Sequence, residues 1–215
     1  MKKKIGIIGS GMVGQVLGAG FLNHGHEVMI ATRDPSKLSD WQDQNPQGKV
    51  GDHKEMGAWA DILVLSSKGT GAMAAIALCD SADIAGKIVI DTTNPIADAP
   101  PDHNVIRYFT TLDDSLMERL QKANPKARFV KAFNSVGNAY MVDPDFGGIK
   151  PTMFICGNDA VAKQEVGVIL DSFGWEAEDM GGVEGARAIE PLCMLWCIPG
   201  FARNQWNHAF KLLKR

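Results

Sequence analysis

The chain has 215 residues, of which 45% are hydrophobic and 22% are charged, and its formal net charge is −3. These values are typical of one well-buried globular domain. They argue against a nucleic-acid partner, because the only basic cluster is Lys2 to Lys4. No window holds the ~20 apolar residues of a membrane helix, and the apolar run at 5–8 is too short for a signal peptide. We therefore expect a cytoplasmic protein.

Short apolar strands alternate with helical patterns along the first 132 residues. Strands are predicted at 4–8, 27–31, 61–65, 87–91 and 128–132. Helices are predicted at 12–22, 53–59, 71–79 and 112–123, with another that begins at Pro35 behind the N-cap Asp34. Strands that read as continuous Ile, Val and Leu are buried on both faces, and this alternation predicts a parallel sheet with right-handed crossovers. The fold class is therefore α/β, a Rossmann-type doubly wound, mostly parallel sheet.

Beyond residue 134 the alternation continues. Strands are predicted at 152–156 and 175–180 and a helix at 159–173. Two terminal helices, at 185–195 and 202–213, are predicted on either side of Pro199-Gly200 and form a short helical C-terminal extension. We interpret residues 1–135 as a nucleotide-binding domain and residues 136–215 as a continuation of the same compact unit.

Four cysteines are present, with no CxxC pair and no histidine at zinc spacing: Cys79, Cys156, Cys193 and Cys197. We expect them to be small apolar core residues, and we expect neither a metal site nor a disulfide.

A glycine motif follows the first strand. The segment Gly9-Ser10-Gly11-Met12-Val13-Gly14 matches GxGxxG and opens a helix, which is the context that a dinucleotide fingerprint requires. Gly9 would permit the tight turn, Gly11 the approach of the pyrophosphate, and Gly14 the close packing of helix on strand. The helix N-terminus would present its free N–H groups to the phosphates. The alternative is a glycine-rich turn without a ligand.

The end of the second strand distinguishes the two nicotinamide cofactors. A site for NAD usually carries Asp or Glu there, to bind the ribose 2′-hydroxyl. This chain has Thr32, Arg33, Ser36 and Lys37 instead, which suit a 2′-phosphate. We therefore predict NADP(H), with the capping role of Asp34 turning its carboxylate away. A solvated basic face is the alternative for Arg33 and Lys37.

These motifs resemble the deazaflavin-dependent NADP oxidoreductases, the coenzyme F420 family. They are also similar to the cytosolic NADPH-binding domain of the Steap-type metalloreductases. The resemblance runs over nearly the whole chain. Besides the two regions above, it rests on Val130-Lys131-Ala132-Phe133-Asn134, on Ile155-Cys156-Gly157-Asn158-Asp159, and on Met180-Gly181-Gly182 through Ala186, Glu190 and Pro191-Leu192.

The resemblance implies a set of cofactor-binding residues. Ser10, Met12 and Val13 would line the pyrophosphate and ribose, and Thr32, Arg33, Ser36 and Lys37 would bind the 2′-phosphate. Ser66 and Ser67 would flank the adenosine, while Asn94, Pro95, Ala132, Phe133 and Asn134 would lie near the nicotinamide. The implied acceptor is a deazaflavin, FMN or FAD, bound on the side formed by residues 136–215. The Lys-Ala-Phe-Asn segment looks closer to the metalloreductase domain.

Hydride transfer between two rings needs alignment and exclusion of water more than acid–base groups, so we predict no catalytic residue. Asn134 is the best candidate for a nicotinamide or acceptor contact, and a strand-end cap is its alternative role. The apolar segment 194–206 would wall the acceptor pocket, form the seam of a homodimer, or pack on the sheet. Two other functions stay open: a non-catalytic NADP sensor, and an imine or carbonyl reductase, which usually carries a larger helical C-terminal domain.

Overall fold

Six parallel strands form the central sheet of the computed structural model, which describes residues 2–215. The strands are β1 (Lys4–Ile8), β2 (Glu27–Ala31), β3 (Lys49–Gly51), β4 (Ile62–Leu65), β5 (Ile88–Asp91) and β6 (Arg128–Lys131). Their order in the sheet is β3-β2-β1-β4-β5-β6. This is the doubly wound order of a Rossmann fold, and it confirms the predicted fold class.

Strand β1 lies at the centre of this sheet. Its Ile7 pairs in register with Ile30 of β2 on one side and with Val64 of β4 on the other. All three side chains are fully buried, as expected for parallel strands that are covered on both faces. The carboxyl ends of the strands therefore meet along a single edge of the sheet.

Strand β3 was not predicted from the sequence. It is only three residues long and begins with the exposed Lys49, so it carries no apolar run that would mark it as a strand. Pairing with β2 places the residues that follow β3, beginning with Asp52 and His53, at the same edge as the residues that follow β2.

Within residues 2–215, seven α-helices precede a longer eighth one. They are α1 (Met12–Asn23), α2 (Ser39–Gln44), α3 (His53–Trp59), α4 (Ala72–Ile76), α5 (Ser81–Ile84), α6 (Leu116–Ala123) and α7 (Ala160–Ser172). Side-chain caps fix where α3, α6 and α7 begin, at Asp52, Ser115 and Asp159. Helix α6 starts later than predicted because Ser115 accepts the N–H of Glu118 and so leaves residues 112–115 outside the helix.

A second, two-stranded parallel sheet follows the first. It consists of β7 (Thr152–Ile155) and β8 (Glu176–Asp179), which α7 connects. The Lys131 N–H donates to the Cys156 carbonyl at 3.0 Å and joins β7 to the end of β6. The ring of Phe173 packs against Phe21 of α1 and Phe133, so this unit shares the core beneath the large sheet.

The prediction of two terminal helices is wrong. One helix, α8 (Ala186–Arg203), continues through Pro191 and Pro199, and residues 204–215 are not helical. The chain leaves the helix at Asn204, which adopts a left-handed conformation with φ 54°. Its N–H donates to the Gly200 carbonyl at 2.8 Å, so the helix is closed four residues after the position at which the sequence suggested a break.

The tail after α8 is fixed by contacts that its own sequence does not reveal. The Phe210 carbonyl accepts the N–H of Thr152, and the Leu212 N–H donates to the Thr152 hydroxyl. The indole N–H of Trp196 donates to the His208 carbonyl at 2.8 Å. These long-range partners satisfy backbone groups of the tail outside any helix, in place of the predicted helical hydrogen bonds.

Within residues 2–215, no helix is both long and apolar enough to span a lipid bilayer. The same part of the chain has no group of three or more His, Cys, Asp or Glu side chains placed to hold a metal ion.

Candidate functional site

A cleft of about 450 Å³ opens at the carboxyl ends of β1, β2 and β4. The residues that line it come from the glycine turn, from the loop after β2, from the start of α3, and from the β4–α4 connection. In a doubly wound sheet this edge, outside the carboxyl ends of the strands, is where ligands bind. The predicted dinucleotide site therefore coincides with a cavity.

The glycine turn has the geometry that the motif predicts. Gly9 has φ +127°, which disfavours any side chain. A Cβ on Gly14 would lie 2.1 Å from the Gly9 carbonyl oxygen, so α1 packs directly against the turn. A Cβ on Gly11 would meet no atom within 4 Å, because Gly11 borders the open cleft. Gly11 is also the N-cap of α1 and has no side chain to occupy the free N–H groups.

The residues predicted around the pyrophosphate divide into two groups. Ser10 lines the cleft, and its carbonyl accepts the side-chain amide of Gln15 at 2.9 Å. Met12 is exposed to solvent outside the cleft, and Val13 packs against the core under the sheet. Met12 and Val13 can thus contribute only their backbone N–H groups to a ligand at the helix N-terminus.

The loop after β2 presents its cationic side chains to the cleft. Thr32, Arg33 and Lys37 line it, and Arg33 makes no ion pair or side-chain hydrogen bond with any described residue. The Lys37 Nζ lies 3.9 Å from the Asp34 carboxylate, and both side chains are largely exposed. A free guanidinium beside an ammonium group is an arrangement suited to a phosphate.

Asp34 has the capping role that the sequence predicted. One of its oxygens accepts the N–H of Ser36 at 3.2 Å and the Ser36 hydroxyl at 2.6 Å. The hydrogen bond from the Ser36 side chain lowers the pKa of Asp34 below its ordinary value. The same bond occupies the Ser36 hydroxyl, and Ser36 does not line the cleft. Of the four residues predicted to bind a 2′-phosphate, Ser36 is therefore the one that the structure does not place there.

Ser66 and Ser67, which follow β4, line the opposite wall of the cleft. The Ser66 hydroxyl lies 3.3 Å from the Ile8 carbonyl. The Ser67 hydroxyl is buried and has no hydrogen-bond partner among the described residues, although buried polar groups are almost always paired. Ala74, Ala75 and Leu78 add an apolar surface beside them. This combination suits a nucleoside, with a flat ring against the apolar wall and a polar group available to it.

His53 also lines the cleft and was not predicted as a site residue. It is the first residue of α3 and is half-buried. Burial lowers the pKa of His53, and the Arg33 guanidinium lowers it further, against an opposing effect of Asp52. The signal that could have found it was β3, because only the pairing of β3 with β2 brings the start of α3 to this edge.

A second polar cluster lies at the ends of β5 and β6. The side-chain amide of Asn94 donates to the Asn134 carbonyl at 2.7 Å, and that of Asn134 donates to the Asn94 side chain and to the Ile189 carbonyl. The side-chain oxygen of Asn134 is buried without a partner in the described part of the chain. A Cβ on Gly69 would lie 1.9 Å from the Asn94 carbonyl, so this cluster adjoins the loop after β4.

The other residues predicted near a nicotinamide are buried. Ala132 and Phe133 belong to the hydrophobic core, where the Phe133 ring packs 6.1 Å from that of Phe173, and Pro95 is buried as well. Phe133 has φ +61°, and its N–H points at the Met153 sulfur. Their role at the cluster is therefore to hold the backbone beside Asn134, not to present side chains to a ligand.

Lys131, Asp91 and Glu190 form a buried ion network next to this second cluster. The Lys131 ammonium lies 2.7 Å from Asp91 and 2.9 Å from Glu190 and donates to the Thr93 carbonyl. All three charged side chains are at most 2% exposed. Burial alone would lower the pKa of Lys131, but the two carboxylates outweigh this effect and raise it.

Glu190 extends the network to α6. Its two carboxylate oxygens accept the N–H groups of Leu116 and Met117, both at 3.0 Å. These two N–H groups have no partner within the helix, because they lie in its first turn. A carboxylate at this position is stabilised by the helix dipole. The network therefore links β5, β6, α6 and α8 behind Asn94 and Asn134, and it was not predicted.

A further cavity of about 630 Å³ lies between the segment after β6 and the C-terminal aromatic residues. Tyr140, Trp196 and Trp206 supply its aromatic walls, and Asn138 and Asn207 supply polar groups. Part of the apolar segment 194–206 thus lines a cavity.

Comparison with known proteins agrees with this architecture. A model of the family described as NADP oxidoreductase, coenzyme F420-dependent, matches residues 4–95. The structure is similar to that of a proposed F420-dependent NADP-reductase from Arthrobacter sp. FB24, with a TM-score of 0.92 and 31% sequence identity. That match covers 99% of this chain and 100% of the other.

More distant relatives share part of their length with this chain. The metalloreductase STEAP3 from Rattus norvegicus is 27% identical over 201 residues, which are 91% of this chain but only 38% of that protein. A reductive aminase from Aspergillus terreus, solved with NADPH and ethyl-5-oxohexanoate, matches with a TM-score of 0.67 and 17% identity over 94% of this chain and 62% of the other. At that identity the likeness concerns the fold alone.

Proposed function

The chain belongs to the family of coenzyme F420-dependent NADP oxidoreductases, and from this premise we propose that it transfers a hydride between NADP(H) and a deazaflavin or flavin acceptor. The observation that carries the proposal is the cleft at the ends of β1, β2 and β4. There a glycine turn open at Gly11 faces the unpaired guanidinium of Arg33 and the orphaned hydroxyl of Ser67.

The residues of this cleft fit the adenosine half of NADP(H). The pyrophosphate would lie against the N-terminus of α1, above Gly11. Arg33 and Lys37 would bind the 2′-phosphate. The one acid beside them, Asp34, also lines the cleft, but one of its carboxylate oxygens is engaged by the N–H and hydroxyl of Ser36. The Ser67 hydroxyl would find its missing partner on the adenosine. A cavity of about 450 Å³ lies within the size range of ligand sites.

The nicotinamide would lie beside Asn94 and Asn134. NADP(H), when bound, supplies the hydride donor or acceptor carbon of its ring. The chain would orient that ring: the unpaired oxygen of Asn134 is suited to accept an N–H of the carboxamide, and Asn94 holds the Asn134 backbone in place. Lys131, Asp91 and Glu190 are buried behind these residues and would act only as their support.

The acceptor would occupy the aromatic cavity near α8. A tricyclic flavin-like ring is flat and apolar on its faces, and Tyr140, Trp196 and Trp206 offer matching surfaces. Trp206 lies on the tail and packs over Gly200, where a Cβ would lie 2.2 Å from its ring. Closure of this wall over the acceptor would keep water from the two rings.

The test is anaerobic oxidation of NADPH by the purified protein, with the deazaflavin coenzyme, FMN, FAD, a cyclic imine, or no acceptor. Turnover with the deazaflavin or a flavin supports the proposal. In Trp206→Ala we expect the KM for that acceptor to rise while the Kd for NADPH stays within about twofold. Turnover with the imine alone, or tight NADPH binding without oxidation in every reaction, would overturn the proposal in favour of a reductase of another class or a sensor.

A further inference from the structure

His53 shares the cleft with the cationic side chains of the β2 loop. It lines the same wall as Arg33 and Lys37 and is half-buried at the first position of α3. Its imidazole has no hydrogen-bond partner among the described residues, and Arg33 is close enough to act on it electrostatically. Beside these cations the protonated form of the imidazole is disfavoured in the free protein, and an anion bound in the cleft would remove that penalty.

The chemistry of a 2′-phosphate matches this requirement. A phosphate monoester carries a charge of about −1.5 to −2 at pH 7 and offers three acceptor oxygens. Arg33 would occupy two of them with its planar fork, and the Lys37 ammonium would approach as a point charge. An imidazolium N–H from the α3 side would complete the set.

Resting on the proposed function, we propose that His53 is a specificity-determining residue that takes up a proton when the 2′-phosphate binds, so that the preference for NADPH over NADH increases as the pH falls. The proton passes from solvent to the imidazole, and no bond of the cofactor is made or broken. The ligand that should elicit this response is any nucleotide with a 2′-phosphate on its adenosine.

The charges around His53 determine the direction of the effect. Arg33 and Lys37 face it from the β2 loop, as does Asp34, whose carboxylate is engaged by Ser36. Lys68 lines the cleft from the loop after β4 and is paired with Asp98.

On its own element, Asp52 caps α3 through the N–H groups of Lys54 and Glu55, and the Lys54 ammonium lies 3.6 Å from Asp80. Arg33 is thus the strong unpaired charge near His53. Both burial and Arg33 keep the pKa of His53 below its ordinary value in the free protein, and a bound dianion would reverse the effect of Arg33.

The test compares the Kd of NADPH with the Kd of NADH from pH 6 to pH 9 in the wild type, His53→Gln and His26→Gln. His26 is a matched control, because burial also lowers its pKa but it lies at the opposite end of the sheet, near Lys3. Titration of the free phosphate affects all three proteins equally and cancels in the comparison.

In the wild type and His26→Gln, the NADPH preference should decrease by about tenfold with rising pH for each unit by which binding raises the pKa of His53. In His53→Gln the NADPH preference should not show this decrease. In NMR titrations of the wild type, the C2 proton of His53 should report a higher pKa with NADP⁺ and no comparable change with NAD⁺.

Two results would overturn the inference: His53→Gln with the pH profile of the wild type, or an imidazole pKa that responds equally to NAD⁺ and NADP⁺. Arg33→Ala separates this failure from failure of the proposed function. If Arg33→Ala loses NADPH affinity while His53→Gln changes nothing, only the role of His53 is wrong. If neither substitution affects NADPH, the phosphate site itself is wrong.

Discussion

Arg33 and Asp34, which carry opposite charges, are adjacent at the end of β2, and they differ in whether their side chains are hydrogen-bonded. The Asp34 carboxylate is held by the N–H and hydroxyl of Ser36, whereas the Arg33 guanidinium keeps all five donors available. An acid next to a phosphate site would repel the ligand if it were free to turn toward it. We therefore expect the turn that begins at Pro35 to contribute to the nucleotide selectivity of the cleft alongside the basic residues.

Gly11→Ala should weaken nucleotide binding without harming the fold. The new Cβ would meet no protein atom within 4 Å, and Gly11 has an ordinary backbone conformation with φ −76°. The methyl group would project into the space above the α1 N-terminus, where the pyrophosphate is expected to lie. We expect the Kd for NADPH, measured by titration calorimetry, to rise at least about tenfold, since a lost charge-assisted hydrogen bond alone amounts to about 1.5–3 kcal/mol.

The control for this experiment is Gly14→Ala. Its Cβ would lie 2.1 Å from a backbone carbonyl oxygen, so this substitution must displace α1 and should lower the Tm of the free protein. A Gly11→Ala protein that melts like the wild type and still binds NADPH normally would refute the expected position of the pyrophosphate.

At the scale of elements, the sequence predicts the strands and helices whose pattern is set by neighbouring residues. β1, α1 and β2 match their predicted bounds to within a residue, because an apolar run, a glycine motif and a helical period are properties of neighbouring residues. Strand β3, the non-helical tail and the Lys131 network depend on partners far along the chain. His53 was missed with β3, and the tail was predicted as a helix because its contacts to Thr152 and Trp196 leave no mark in its own sequence.

The Lys131 network leads to a prediction about the elements that it joins. In Lys131→Met, Asp91 and Glu190 would remain buried without their cation, and removal of one member of a buried ion pair costs about 3–5 kcal/mol. We expect the free energy of unfolding in urea to decrease by that amount. The N-terminus of α6 should retain Glu190, because its contacts with the Leu116 and Met117 N–H groups do not involve the lysine.

Lys150→Met provides the comparison, since its partner Asp171 is 75% exposed and the pair stands in solvent. Exposed ion pairs contribute about 0–1 kcal/mol. Equal unfolding free energies for the two variants would mean that the Lys131 network does not hold β5, β6 and α8 together.

For the molecule as a whole, the cleft is a property of the sheet edge and of no single segment. Its walls come from the loops after β1, β2 and β4 and from the start of α3. The second cluster adds the ends of β5 and β6, which Gly69 brings against the first. A ligand that spans both would contact five of the six strand ends and so oppose unfolding of the entire sheet.

We therefore expect NADPH to stabilise the whole domain against heat. A ligand present at 100 times its Kd contributes about 2.7 kcal/mol, which corresponds to a rise in Tm of roughly 5–11 °C for a protein of this size. Differential scanning fluorimetry should show a clearly smaller rise with NADH at the same concentration. In Arg33→Ala the NADPH effect should shrink toward that of NADH. Equal shifts for both nucleotides in the wild type would contradict the phosphate site.

The central position of β1 also bears on how the protein is made. Ile5 pairs with Val28 on one side, but its other neighbour is Ile62, which the ribosome adds much later. At roughly 5–20 residues per second, the apolar face of β1 must wait on the order of several seconds for β4. During that interval the nascent chain exposes an unpaired strand edge of the kind that chaperones bind. Substitutions that weaken β4 should therefore lower the yield of folded protein in cells, even where the free energy of unfolding of the purified protein changes little.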